Sequence, residues 1–155
     1  MRWVIPACAV LWAFAAVAAP LSRPLQRSPL LVDTPHGPAR FVVEIAADNS
    51  SRLKGLMFRK EMPPDSGMLF EFPDDHFRSF WMKNTILPLD MLFIRADGTI
   101  SSIAQNTTPY SLDVVTSREP VRAVLEINAG RSAALGITAG EKVHGAFFGQ
   151  AASGQ

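Results

Sequence analysis

The chain has 155 residues (16.9 kDa), 48% hydrophobic and 19% charged, with 15 Lys+Arg against 14 Asp+Glu and a single cysteine. That length supports one compact domain and leaves no room for two of ordinary size, and a mean hydropathy of +0.13 is too apolar for a disordered chain. The near-cancelling charges exclude the cationic surplus on which nucleic-acid binding draws, so no nucleic-acid partner is expected.

Met1-Arg2 is a short positive start, and residues 3–17 are almost wholly apolar. Ala16-Val17-Ala18 then places small residues where a signal peptidase reads them. Residues 1–18 are therefore expected to be a secretory signal peptide cut after Ala18. The competing reading is a retained membrane anchor, but an apolar run of about 15 residues falls short of the roughly 20 that span a bilayer. Cys8 leaves with this segment, and the mature chain then has no cysteine for disulfides, thiolate metal sites or a nucleophile. The expected product is periplasmic or secreted, with no membrane span after cleavage.

Residues 19–28 hold Pro20 and Pro24 among polar residues and are expected to form an extended tether ahead of a single β-rich domain at 29–149 and a disordered tail at 150–155. Residues 30–32 form a short strand, turned at residues 34–37 into a second over 40–46 with Phe41, Val43 and Ile45 on its buried face. Residues 48–51 carry helix-start chemistry. The helix over 52–59 puts Leu53, Leu56 and Met57 on one buried arc, Arg52 and Arg59 together at its border, and Gly55 opposite.

After the turn at 62–67, Met68, Phe70 and Phe72 alternate with Leu69 and Glu71, and Pro73-Asp74-Asp75 ends the run. Residues 77–85 read as another strand, with Phe80 and Met82 on one face and Trp81, Lys83 and Thr85 on the other. Residues 89–94 are apolar except Asp90, as a central strand buried on both faces would be. Asp97-Gly98 is the strongest hairpin signal, returning into 100–104. A polar loop over 105–119 follows, then a strand from Val121, a short helix within 129–135 closed by Gly136, and a last strand over 143–148. Seven or so short strands with one or two short helices indicate a mainly β fold, a compact sandwich or small barrel.

The sequence contains no Gly-x-Ser-x-Gly elbow, phosphate-binding glycine loop or zinc helix. His36, His76 and His144 lie far apart, and Asp74-Asp75 reads as a solvated turn. No catalytic residue, metal site or cofactor is assigned. A minor alternative is copper(I) held by thioethers among Met57, Met62, Met68, Met82 and Met91, with His76 or Trp81 completing the site. Methionine at such positions more often fills gaps in a core.

Three ordered blocks are distinctive: Arg52-x-x-Gly55-Leu56-Met57-x-Arg59, then Gly67-Met68-Leu69-Phe70, then Phe80-Trp81-Met82-Lys83-Asn84-Thr85-x-x-Pro88-Leu89-Asp90. With them the chain resembles the family called domain of unknown function 192, small and often exported prokaryotic proteins, over roughly residues 30–148. Asp97-Gly98 and Glu126 also fall where that pattern would place them. The resemblance implies a compact β-rich fold and leaves the biochemistry open.

The candidate site is Arg52, Arg59, Trp81, Lys83, Asn84, Thr85, Asp90 and Glu126. An aromatic platform beside an ammonium and hydrogen-bonding side chains suits a small polar or anionic ligand, with the two arginines as its cationic edge. The competing structural reading makes Trp81 core, pairs Lys83 with Asp90, and sets Arg52 and Arg59 on loop carbonyls or against Glu126 and Glu71. A hydrolase-type or other enzyme would use Asp90 or Glu126 as acid or base. An envelope protein partner, recognised through an exposed apolar patch, is the remaining alternative.

Overall fold

The computed structural model describes residues 24–149; the expected signal segment, most of the tether and the C-terminal tail lie outside them. In chain order the elements are β1 (Arg27–Val32), β2 (Ala39–Ala46), α1 (Asn49–Lys54), β3 (Ser66–His76), β4 (Ser79–Phe80), β5 (Leu89–Ile94), β6 (Ile100–Thr107), β7 (Val115–Thr116), β8 (Val121–Asn128), α2 (Arg131–Leu135) and β9 (Val143–His144), closed by a 3-10 turn at Ala146–Phe148. Seven strands form one sheet in the order β6-β5-β8-β3-β2-β1-β9, curled into a half-barrel, and β4 pairs with β7 in a small second sheet. The fold is mainly β, as the sequence pattern indicates. No helix among the described residues is long and apolar enough to cross a membrane.

Residue alternation on the central strands β3, β8 and β5 explains the architecture. Leu69, Leu125 and Leu92 pack into one apolar cluster with Leu30, Phe41 and Ile100. The intervening Met68, Phe70, Val124, Met91 and Phe93 belong to a second cluster on the opposite face. Every position of β5 is buried, because a strand covered on both sides needs an almost unbroken apolar run. Neighbouring strands are antiparallel except β2 and β3, which run parallel across the crossover that contains α1. Gly98, at φ +82, makes the turn between β5 and β6.

Several elements depart from the sequence reading. β1 starts at Arg27, inside the expected tether, and pairs with β2 from that residue onward. The first helix runs from Asn49 to Lys54, capped by the Asp48 carboxylate on the Ser51 amide, and stops where Gly55 turns to φ +48. Ending it there leaves Leu53 exposed and Leu56 buried, so the continuous arc does not form. β3 continues through Pro73 to His76 beyond a bulge after Glu71. The loop at 105–119 is shorter than expected, because β6 reaches Thr107 and β7 interrupts it. The last strand is confined to β9.

The largest departure is at 77–85, where only β4 is extended. Met82 N donates to Ser111 O (3.0 Å), Thr85 N closes a turn on Met82 O (3.0 Å), and Asn84 sits at φ +56. A left-handed residue reverses the chain and cancels the period-two register. Trp81, Lys83 and Thr85 therefore do not share a strand face.

Gly67 occupies the tightest position in the central sheet. A Cβ there would lie 2.5 Å from the Glu126 carbonyl oxygen and 3.1 Å from the Ile127 side chain. Gly67→Ala is expected to destabilise the domain by about 1–3 kcal/mol through overpacking, measured by urea denaturation. Wild-type stability in that variant would show that β3 and β8 can separate locally.

Candidate functional site

Glu126 is the chemically unusual residue. On β8 it stands directly opposite Met68 of β3 and Met91 of β5, with Phe70 and Phe93 of the same cluster one step further along. It is 4% exposed, and no hydrogen bond or ion pair reaches its carboxyl among the described residues. Burial alone pushes its pKa from 4.5 up to about 8. Glu126 is therefore mostly protonated at neutral pH, a hydrogen-bond donor held without a partner.

This carboxyl opens onto a cleft of about 580 Å³, within the size range of sites that hold small ligands. Its wall is aromatic. Phe70, Phe72, Phe77, Phe80 and Trp81 line it, with Phe70 and Phe80 edge to face at 5.0 Å. Arg52, Lys54 and Arg78 bring positive charge. The Arg52 guanidinium donates to the carbonyls of Ala47 and Glu71 and to Asn49 Oδ1. Arg78 lies 3.9 Å from the Phe72 ring centroid and is paired with Asp74, while its Nε is buried without a partner. Lys54 has no carboxylate partner among the described residues. Gly55 closes one side: a Cβ there would lie 3.2 Å from the Phe70 ring.

Of the eight sequence candidates, Arg52, Trp81, Thr85 and Glu126 line this cleft. The other four do not. Arg59, beyond the end of α1, makes a two-point ion pair with Glu44, and that contact holds the Glu44 carboxyl below its usual range. It lies in a different depression and forms no common edge with Arg52. Lys83 is exposed and sits 5.0 Å from the Trp81 ring centroid, so the expected Lys83–Asp90 pair is absent. Asn84 serves the backbone turn, its side-chain amide against Met57 Sδ.

Asp90 is fully buried and anchors structure. Its Oδ1 accepts from Asn106 N (2.9 Å) and Gly130 N (3.1 Å), and its Oδ2 from Ser132 N (3.0 Å) and Ser132 Oγ (2.6 Å). It thereby satisfies amide donors at the start of α2 that have no partner within the helix. Alternation along β5 and β8 also sends Asp90 and Glu126 to opposite faces of the sheet, because Met91 pairs with Glu126 and Asp90 with Ile127. The two carboxyls cannot act on one substrate.

The model of the DUF192 family, described as "Uncharacterized ACR", matches residues 31–145. The chain belongs to the DUF192 family. Among solved structures it is 45% identical to a Sinorhizobium meliloti 1021 protein provisionally described as a transcription regulator, covering 81% of this chain and 98% of that one at a TM-score of 0.79. It is 38% identical to a protein of unknown function from Novosphingobium aromaticivorans DSM 12444, covering 88% and 99% at a TM-score of 0.76. No curated protein matches it.

All three sequence blocks that carry the DUF192 resemblance reach this one cleft. Arg52, Gly55, Leu56 and Met57 come from the first, Phe70 from the second, and Phe80, Trp81 and Thr85 from the third. Sequence reasoning missed Phe72, Phe77, Phe80, Arg78 and Lys54 as site residues. The available signal was the density of phenylalanine between residues 70 and 80, which reads equally well as strand core. Of the methionines, Met68 and Met91 pack beside Glu126, and Met82 Sδ accepts from Thr107 Oγ1. Among the described residues, no three His, Cys, Asp or Glu side chains converge as a metal site would require.

Proposed function

We propose that this DUF192 domain is an exported binding protein whose cleft takes a small amphipathic ligand. The ligand would lay a ring or short apolar chain against Phe80 and Trp81, present a hydrogen-bond acceptor to protonated Glu126, and direct a negative charge towards Lys54 and Arg52. The observation that carries this reading is the buried, unpartnered Glu126 carboxyl facing an open cleft. A carboxyl in that state costs folding free energy that an apolar side chain would not, so a role in packing alone does not account for it. The S. meliloti description belongs to that protein; the cleft, and neither short helix, supports the reading here.

The test uses the chain beginning at Ala19, in which Trp81 is the one remaining tryptophan, since Trp3 and Trp12 lie in the signal segment. Aromatic and short-chain carboxylic acids, with their amides and alcohols, are titrated while Trp81 fluorescence and melting temperature are followed. Saturable one-site binding is expected, and its loss in Glu126→Leu. Failure of every compound to perturb Trp81, or binding indifferent to Glu126, rejects the reading.

A catalytic second reading has one observation in its favour. Burial poises the Glu126 proton near neutral pH, where a general acid or base works best. Glu126→Gln would then retain the ligand and abolish turnover. Export itself is supported by Arg2, the apolar run and Ala16-Val17-Ala18; it predicts Ala19 as the N-terminus of the chain recovered from a bacterial periplasm.

A further inference from the structure

Large apolar side chains standing in water are not scattered over this domain. Among the described residues eight are exposed, and all of these except Val42 fall on residues 52–60, 77–85 and 110–114. Leu53 (78% exposed) and Phe58 (68%) follow one another around the end of α1, and Phe77 and Trp81 flank β4. Tyr110, Leu112 and Val114 stand on the loop before β7.

The three segments are joined by main-chain hydrogen bonds. Phe58 N donates to Asn84 O (2.8 Å), Tyr110 N to Thr85 O (3.1 Å), and Met82 N to Ser111 O (3.0 Å). Because Leu53, Phe77 and Trp81 also line the cleft, the exposed residues form a collar around its mouth. A clustered apolar patch of this kind marks an interaction surface.

Charge on the collar is predominantly positive. The three segments contain six cations, Arg52, Lys54, Arg59, Lys60, Arg78 and Lys83, against one acid, Asp113. Glu44 and Asp74 neutralise Arg59 and Arg78, and Arg52 interacts with the nearby Asp48 carboxylate, while Lys54, Lys60 and Lys83 have no carboxylate partner among the described residues. Tryptophan, tyrosine and phenylalanine beside uncompensated lysines suit the headgroup layer of a bilayer, where aromatic bodies enter and ammonium groups meet lipid phosphates. The apolar groups stand on three chain segments, the end of α1, the flanks of β4 and the loop before β7, and their side chains can enter a soft lipid surface individually; a rigid protein face would meet them better as one flat patch.

We propose that this collar docks the domain on an anionic lipid bilayer, with the cleft mouth against the headgroups. The test sediments the chain beginning at Ala19 with vesicles of phosphatidylcholine alone and of equal parts phosphatidylcholine and phosphatidylglycerol, and follows Trp81 emission. Binding to the anionic vesicles with a blue shift is expected. Lys60→Glu combined with Lys83→Glu, and separately Leu112→Asp, are expected to weaken it at least about tenfold. None of these residues lines the cleft, and all three are exposed, so the melting temperature and its shift on adding a small molecule should match the parent chain, while the baseline Trp81 emission changes where Lys83 leaves its ring. That separates failure of the lipid surface from failure of the cleft. No binding to anionic vesicles overturns the proposal and leaves the collar to a protein partner; so does binding that neither variant alters.

Discussion

Glu126→Met is expected to raise stability at neutral pH by about 3 kcal/mol while abolishing binding in the cleft. Below pH 4.5 the folded and unfolded chains both carry the Glu126 proton. Between 4.5 and about 8 the unfolded chain releases it and the folded chain retains it. Folding then takes up a proton, so stability falls as pH rises, by ~1.4 kcal/mol per pH unit, and levels off once the folded carboxyl also ionises. At pH 7 most of that loss has accrued. Methionine between Met68 and Met91 has no proton to lose and suits the apolar surroundings. The variant should melt about 10 °C higher at neutral pH and lose the parent's downward slope, read by urea denaturation from about pH 5 to about pH 9. A variant less stable than its parent, or a parent with flat pH dependence, would mean that Glu126 has a partner in solution and no claim on a ligand. Higher stability with lost binding would instead mark a group retained for function at a folding cost.

The part of this structure legible in the sequence is the part fixed by local rules. Residues 89–94 announce a doubly buried strand because almost every side chain is apolar; Asp97-Gly98 and Gly136 mark a turn and a helix end because few residues accept a positive φ. The site was harder for a physical reason. Alternation at 77–85 imitates a strand, but Asn84 adopts the left-handed conformation and its neighbours bond to Ser111 and Tyr110, contacts set by tertiary structure. Arg52 and Arg59 look like neighbours on a two-turn helix, yet Gly55 ends the helix between them. Glu126 alternates with Leu125 and Ile127 as an outward-facing polar residue would. Only the second apolar layer, assembled around α1 and the turn at 82–85, makes that outer face an interior. Four of the eight candidates, Arg52, Trp81, Thr85 and Glu126, still meet at one cleft, although the strand assumed for 77–85 does not form.

Asp90 shows the opposite balance, and its removal should be the most damaging single change considered. Asp90→Ala is expected to cost about 3–5 kcal/mol, a large fraction of the total stability of an ordinary domain. The substitution deletes four hydrogen bonds at once, to Asn106 N, Gly130 N, Ser132 N and Ser132 Oγ. The donors left behind include amides at the first turn of α2, a five-residue helix too short to hold itself without tertiary support. Asp90→Asn keeps one oxygen for Asn106 and Gly130 but turns an NH2 towards the Ser132 amide, so it should lose less, about 2–3 kcal/mol. Chemical denaturation ranks the three proteins, and ligand titration below the unfolding transition gives the second readout. Because Asp90 faces away from the cleft, the folded fraction of either variant should bind as the parent does. A variant that keeps parental stability but loses the ligand would return Asp90 to the recognition site and require the two faces of the sheet to act together.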